Sequence, residues 1–377
     1  MLGRLKFEID PLIEEMLGKI PEEMFTSSDT TFADLQMGGG QFMAAIIDKL
    51  KSYGHSDENI NQRVFGFAEK RLYLYYVLGK ELLGMYKLYE NDIDMKFDVI
   101  IGNPPYQKKV GPKKTQAIWP EFVEKAFELC KEGGYVSLIH PTGWRSPDGV
   151  FKPIQKLLKD KHIIYIHTHT KHQGVEVFGA STEFDVCCVK NVKNQNGEKT
   201  LLLTPDKEEY EVDLTNVEYI PNGKIDVFDK VIAKEGEEKV NLLHSYSDYE
   251  TRKSWMSKEK TDDNIHPCVY TVLMGGTINK YYSTTKENGH FGIPKIIWSN
   301  GTTSIINDMT GEYGLTQFSY AIVDDVSVLP KIKKAMETPE FIELMRYADG
   351  NDHKYVYKVI RLFRKDFWKE FIDEDDL

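Results

Sequence analysis

Through the first half of the chain, short apolar runs alternate with stretches whose apolar residues recur at helical spacing. Strand-length runs fall at 31–34, 64–69, 85–90, 97–102, 135–140, 163–167 and 184–189, and helix-period segments at 41–52, 70–83, 118–131 and 149–160. This alternation predicts a parallel sheet wound with helices. Chain breakers stand where strands must give way to loops: Gly38-Gly39-Gly40, Gly102 to Pro105, Gly133-Gly134 and Pro141. Residues 1–195 therefore read as one doubly wound α/β domain. After Lys193-Asn194-Gln195-Asn196-Gly197 the rhythm changes to shorter mixed elements, with turns at Gly275-Gly276, Asn300-Gly301 and Gly311. Residues 196–377 read as a second, mixed α+β domain. Within it, 294–301 resembles a strand leading into an asparagine-glycine turn. The stretch 354–370 reads as a basic aromatic helix carrying Tyr355, Phe363, Phe367 and Trp368. Such a helix either lies along phosphates or packs its aromatic rings on the domain core, and the second reading is preferred.

Composition changes this picture little. A length of 377 residues suits two domains, and 41% hydrophobic with 28% charged residues suits a soluble globular protein. No run has the roughly 18 uninterrupted apolar residues of a membrane span, so a cytoplasmic protein without a membrane partner is expected. Cys130, Cys187, Cys188 and Cys268 show no C-x-x-C spacing. Buried free thiols are expected, and no metal site.

Charge is more informative by its distribution than by its sum. The formal net charge is −11, which argues mildly against a nucleic-acid partner. Yet residues 108–171 hold twelve lysines and arginines against six aspartates and glutamates. A locally basic face is compatible with a duplex held on one side and equally with solvated helix faces.

The first chemical feature is the stretch from Thr31 to Phe42, a strand joined to a helix through Gly38-Gly39-Gly40. Open parallel sheets bind ligands outside the carboxyl ends of their strands, where glycines let backbone approach closely. The spacing departs from G-x-G-x-x-G, and Asp34 precedes the glycines. A carboxylate there repels pyrophosphate but suits the ammonium group of a methionine moiety. Glu69, closing the next strand, stands where it can accept hydrogen bonds from ribose hydroxyls. The competing reading is a plain tight turn, with Glu69 a helix N-terminal carboxylate. The order of Asp34 and the glycines makes S-adenosylmethionine the better candidate.

The second feature is the apolar strand 97–102 running into Asn103-Pro104-Pro105-Tyr106. Two prolines fix their own φ angles and restrict their predecessors, so this tip is stiff. Asn103 offers a side-chain carbonyl acceptor, and Pro104 a backbone carbonyl with no N–H of its own. Two acceptors match the two hydrogens of a planar amino group. Bonding both draws the nitrogen out of conjugation and aims its lone pair at an incoming methyl group. Tyr106 stacks on the ring face, worth about 1–3 kcal/mol per base. Positioning and electrostatics, rather than a strong general base, carry such a reaction. The alternative is an Asn-Pro-Pro turn with Tyr106 packed on the surface.

On these residues the chain resembles the γ group of DNA adenine-N6 amino-methyltransferases from restriction–modification systems, over about residues 8–190. The resemblance implies a Rossmann-like class I methyltransferase sheet, with residues 196–377 as a target-recognition domain that binds double-stranded DNA. It implies that Asp34, Gly38, Gly40, Phe42 and Glu69 bind the cofactor. Asp92 matches the carboxylate facing the cofactor's adenine, with Asn91 and Asp94 as alternatives. Asp10-Pro11-Leu12-Ile13 is similar to the motif flanking the cofactor's methionine end, which brings in Pro11. Gly174 to Phe178 resembles a late motif whose ring, here Phe178, sandwiches the flipped base with Tyr106; a core phenylalanine opening a strand is the competing reading. The chain departs from the family in carrying Leu35-Gln36-Met37 where Asp-Pro and a small residue are usual. Its glycines are kept, so cofactor binding is expected.

The Asn-Pro-Pro-Tyr tip also occurs in protein glutamine methyltransferases, and close variants in RNA amino-methyltransferases. A non-catalytic DNA-binding subunit and a cytosine-N4 enzyme are further alternatives. The long second region and the Phe178 match favour an adenine extruded from duplex DNA. No nuclease motif is evident, and whether a separate restriction endonuclease accompanies the chain stays open.

Overall fold

The computed structural model describes residues 10–67, 95–112, 114–146, 149–195, 197–215, 217–301, 303–349 and 355–373. The expected helix over 70–83 and the expected strand over 85–90 lie outside the described residues. The chain divides into two compact units, Met1–Val217 and Glu218–Leu377.

In the first unit the helices are α1 (Pro11–Gly18), α2 (Glu23–Thr26), α3 (Gln41–Ser52), α4 (Asp57–Arg63), α5 (Trp119–Leu129), α6 (Lys152–Lys159) and α7 (Lys171–Phe178). Its strands are β1 (Phe32–Asp34), β2 (Val64–Gly66), β3 (Phe97–Gly102), β4 (Gln107–Gly111), β5 (Lys114–Ala117), β6 (Cys130–Pro141), β7 (Lys161–His169), β8 (Phe184–Lys193), β9 (Thr200–Leu203) and β10 (Glu209–Val212). Eight of them form one sheet in the order β10-β9-β7-β8-β6-β3-β1-β2. β1 pairs in parallel with β2 and β3, and β3 with β6, while β8 runs antiparallel between β6 and β7. The parallel strands are apolar because both faces are covered. On one face lie α1 and α3, which join Val99, Ile101, Ile139 and Phe184 in a single core through Met16, Met43, Ile46 and Leu50.

Local chemistry fixes the strand starts. Asp98 Oδ2 accepts from Thr31 N at 2.8 Å, Thr31 Oγ1 at 2.7 Å and Lys131 Nζ at 2.8 Å. Those bonds hold the carboxyl of Asp98 low in spite of its partial burial. α3 spans the expected 41–52 and β3 the expected 97–102. The expected helix 118–131 stops at Leu129 because Cys130 already opens β6.

The first unit runs past the expected boundary at 195. β9 pairs in parallel with β7 through Tyr165↔Leu201 to His167↔Leu203, and β10 folds back on β9. The polar break at 193–197 is thus a turn within the sheet rather than a linker. All four cysteines are free and buried, and burial pushes the thiols of Cys130, Cys188 and Cys268 up to about 12.

The second unit contains α8 (Ile225–Val231), β11 (Leu242–Leu243), β12 (Met256–Ser257), β13 (His266–Val272), β14 (Ile278–Ser283), β15 (Lys295–Ser299), β16 (Ile306–Asp308), β17 (Gly314–Leu315), β18 (Ser319–Val323), α9 (Leu329–Met336), α10 (Pro339–Asp349) and α11 (Tyr357–Ile360). Two four-stranded sheets form, β11-β18-β15-β16 and β12-β14-β13-β17. β15 enters the Asn300-Gly301 turn as expected, with Gly301 at φ 80. The expected helix over 354–370 does not form as one element. α11 ends after one turn, Phe363 bridges Ile232, Arg364 bridges Lys239, and a 3-10 turn follows at Phe367–Glu370. Ala233 N–H and Val240 N–H donate to the carbonyls of Leu362 and Phe363, which takes that backbone out of helical bonding. Phe363 and Phe367 are fully buried in the unit's core, as the packing alternative required.

Candidate active site

Because β1, β3 and β6 are parallel, their carboxyl ends gather along one edge of the first unit's sheet. Asp34 ends β1 there, 2% exposed. Its Oδ1 accepts from Gln36 N at 3.0 Å, while Oδ2 is buried without a hydrogen-bond partner. Burial pushes this carboxyl up to about 7. Gly102, at the end of β3, makes room for it: a Cβ at 102 would stand 2.6 Å from Asp34 Oδ1. The need for glycine at that point was not legible in the sequence.

The glycine loop is pinned to the end of β2. Phe67 N–H donates to the Asp34 carbonyl and Met37 N–H to the Phe67 carbonyl, both at 2.9 Å, and Gly40 N–H to the Met37 carbonyl at 2.7 Å. Gly38 (φ 50) and Gly40 (φ 81) adopt left-handed backbone, which their lack of Cβ permits. Met37, where the methyltransferases that the sequence resembles carry a small residue, is 2% exposed and joins the core. Phe42, on the first turn of α3, lies in the same core. Glu69 and Asp92, with its alternatives Asn91 and Asp94, lie outside the described residues.

Pro11 is exposed at the first position of α1, whose N-cap Asp10 accepts from Leu12 N at 2.9 Å. Glu15 Oε1 accepts from Tyr165 Oη at 2.9 Å and meets His167 Nδ1 at 2.8 Å, and Lys19, one turn later, sits over the Tyr165 ring. α1 therefore runs antiparallel to β7, and its Pro11 end points toward the carboxyl edge of the sheet. A buried carboxylate oxygen without a partner, beside a glycine-lined turn, fits the cationic methionine end of S-adenosylmethionine.

The tip follows β3. Pro104 is buried, and Asn103 Oδ1 and Tyr106 Oη are buried atoms without hydrogen-bond partners. Burial and the nearby charge of Asp185 push the Tyr106 hydroxyl well above its ordinary value. Phe178 does not open a strand; it ends α7, and Phe184 opens β8. α7 begins in a capping box between Thr170 and Gln173, and its Gly174 packs so closely that a Cβ would lie 2.0 Å from the Thr182 carbonyl oxygen. This brings Phe178 to Tyr106, with ring centroids 6.4 Å apart and planes at 77°. A base between two ring faces needs them parallel and about 7–8 Å apart, two carbon contact layers. The two rings meet edge to face here, which leaves no such slot between them.

Further residues at this edge were missed. Asp185, fully buried near the start of β8, accepts from Trp144 Nε1 at 2.9 Å and pairs with Arg145 Nε at 3.3 Å through Oδ2. Its Oδ1 is buried without a hydrogen-bond partner, and burial outweighs Arg145 and Trp144 in raising it to about 6. Pairing of Gly102 with Leu138 and of His140 with Asp185 sets this carboxylate level with the tip, one strand beyond β6. The available signal was a lone aspartate in the apolar run 184–189. His140 lies stacked on Trp119 with centroids 5.4 Å apart, and burial lowers it to about 4, so it is neutral.

Sheet order, the antiparallel β8 and the site at the carboxyl edge together define the fold of class I S-adenosylmethionine-dependent methyltransferases. A family model described as Eco57I restriction-modification methylase matches residues 41–178, which hold the α3 start, the tip and Phe178. An "uncharacterized adenine-specific methylase" of Mycoplasma pneumoniae (strain ATCC 29342 / M129 / Subtype 1) is 44% identical over 75 residues, 18% of this chain and 17% of that protein. Among solved structures, the Type IIL restriction-modification enzyme MmeI in complex with DNA aligns with a TM-score of 0.53 at 10% identity, covering 93% of this chain and 65% of that one. A nuclease-deletion mutant of the Type ISP restriction-modification enzyme LlaGI, with a DNA substrate mimic, aligns at 0.52 and 11% identity, covering 92% and 51%. At such identities the two structures speak for fold alone. The chain spans less than two thirds of the length of each of these relatives. No helix among the described residues is long and apolar enough to cross a membrane.

Proposed function

We propose that the protein is a site-specific DNA methyltransferase that transfers a methyl group to adenine N6 of a base extruded from duplex DNA. The first unit is the catalytic one in this reading, and the second reads the target. The observation that carries it is a pair of buried acceptors without partners at the ends of neighbouring strands, Asp34 Oδ2 and Asn103 Oδ1. The match to restriction–modification methylases over residues 41–178 favours DNA over protein amides and RNA. A cytoplasmic location goes with the same reading.

S-adenosylmethionine, when bound, supplies the electrophilic methyl group. Asp34 takes the ammonium of the methionine end, Gly38 and Gly40 let backbone close on it, and Pro11 and Phe42 flank it. Glu69 holds the ribose hydroxyls and Asp92 the adenine of the cofactor. Asn103 Oδ1 and the Pro104 carbonyl accept the two hydrogens of the substrate amino group, which exposes its lone pair to the donor. Tyr106 and Phe178 turn parallel and hold the base between them.

The test is incubation of the purified protein with methyl-labelled S-adenosylmethionine and duplex DNA, followed by nucleoside analysis. N6-methyladenine is the expected product. Label found in RNA or protein instead, or in N4-methylcytosine, overturns the proposal.

A further inference from the structure

The segment leaving the tip is a hairpin of its own. Gln107 follows Tyr106 directly, and Ile118 N–H donates to the Tyr106 carbonyl at 3.1 Å, closing the loop on the tip. Between them β4 and β5 pair as Gln107↔Ala117, Lys108↔Gln116 and Lys109↔Thr115, in a two-stranded sheet separate from the large one. The described residues of both strands are exposed apart from half-buried Gly111. An isolated two-stranded hairpin is marginal in water and adds little to the core, so its place beside the site needs another reason.

Its composition supplies one. From 107 to 118 the sequence has four lysines and no aspartate or glutamate, in a chain of net charge −11. Lys108, Lys109 and Lys114 are exposed. Among the described residues no carboxylate pairs with any of the three ammonium groups. Neighbouring strand residues point to opposite faces, so Lys108 and Lys109 put positive charge on both sides of the hairpin. Charge on two faces suits an element lying in a groove between two phosphate strands.

We propose that the β4–β5 hairpin grips the phosphate backbone beside the extruded base, with Lys108, Lys109 and Lys114 as its phosphate contacts. This rests on the duplex-DNA reading above. Extruding a base displaces its flanking phosphates, and an element joined to Asn103–Tyr106 without an intervening linker fixes those phosphates relative to the acceptors. Phosphate contacts position the duplex without reading its sequence, so the effect is independent of the recognised site.

The experiment measures equilibrium binding of labelled random-sequence duplex DNA against salt concentration. Each phosphate contact contributes about 0.9 to the slope of log K against log salt. The variant Lys108→Gln/Lys109→Gln/Lys114→Gln should lower that slope by about 2–3, with S-adenosylmethionine binding as a check on folding. The control Lys51→Gln/Lys96→Gln/Lys161→Gln removes equal charge at the amino edge of the same sheet and should leave the slope near that of the parent. An unchanged slope in the hairpin variant, or an equal fall in both variants, overturns the hairpin proposal and leaves the methyltransferase reading standing. Parent protein that binds structured RNA but no duplex overturns both.

Discussion

Both units bury an aspartate at the end of a strand, Asp34 closing β1 and Asp308 closing β16. Their surroundings are opposite. Lys295 Nζ, 0% exposed, meets Asp308 Oδ2 at 2.7 Å and donates to the carbonyls of His290 at 2.8 Å and Ile293 at 3.1 Å. Asp308 also accepts from Glu312 N at 2.7 Å and Tyr313 N at 3.0 Å, so all three ammonium hydrogens and both carboxylate oxygens of the pair have partners within the protein. Asp34 has one backbone donor and an oxygen left over, and Asn103 Oδ1, Tyr106 Oη and Asp185 Oδ1 share its condition at the same edge. A satisfied buried charge fixes a fold. A cluster of unsatisfied buried atoms costs stability and persists where a ligand completes it.

The largest effect is expected where polarity is fully satisfied. Lys295→Met leaves the Asp308 carboxylate buried and uncompensated, which costs about 3–5 kcal/mol in a denaturant titration. At temperatures where the variant stays folded, methyl transfer per folded molecule should change little. A small stability loss joined to a large loss of turnover would place the pair in the function and erase the contrast.

Asn103→Ala should behave the other way. Losing one preorganised partner of the reacting group costs about 10²–10³ in kcat. The unfolding midpoint should hold or rise slightly, since the deleted oxygen has no partner in the protein. Turnover equal to the parent's would remove the tip from the reaction.

Phe178→Ala and Tyr106→Ala come next. In the proposed reading each removes one ring face from the base, worth about 1–3 kcal/mol, or roughly 5–150-fold in kcat/KM for DNA. The two substitutions should be less than additive, because the rings pack on each other at 6.4 Å. Additive losses would mean that the rings act at separate places and that no sandwich forms.

Legibility followed the same division. β1, α3, β3 and the stiff tip were readable because periodicity, glycines and prolines are local signals. Missed features depend on contacts remote in sequence. Asp185 gains its place from Trp144 and Arg145, about forty residues earlier. Gly102 is required by Asp34 across the sheet, and Gly174 by the Thr182 carbonyl. The boundary fell at 217 rather than 195 because the pairing of β9 with β7 cannot be seen in a polar turn. The helix expected over 354–370 failed because Phe363 and Arg364 bridge to 232 and 239, where tertiary pairing overrode a helical pattern. The basic residues after the tip were counted, yet nothing in their spacing announced a hairpin.

The smallest expected effect is a pH dependence, and it separates the two aspartates most cleanly. Burial raises the carboxyl of Asp34 from 3.8 to about 7, so the ligand-free fold favours its protonated form. That contribution to stability is complete below about pH 4 and is lost as pH rises through about 7. A bound ammonium favours the ionised form instead, so binding S-adenosylmethionine below pH 7 must release a proton. Affinity for the cofactor should therefore fall as pH drops below about 7, by at most about tenfold per pH unit. Calorimetry in buffers of different ionisation enthalpy reads the released proton directly. Asp34→Asn should bind more weakly at pH 8 and show a flatter profile, with the proton release gone, whereas Lys295→Met should retain it. If the parent releases no proton between pH 5 and 7, the oxygen left over at the end of β1 does not face the cofactor's cation, and the unsatisfied edge needs a different ligand to complete it.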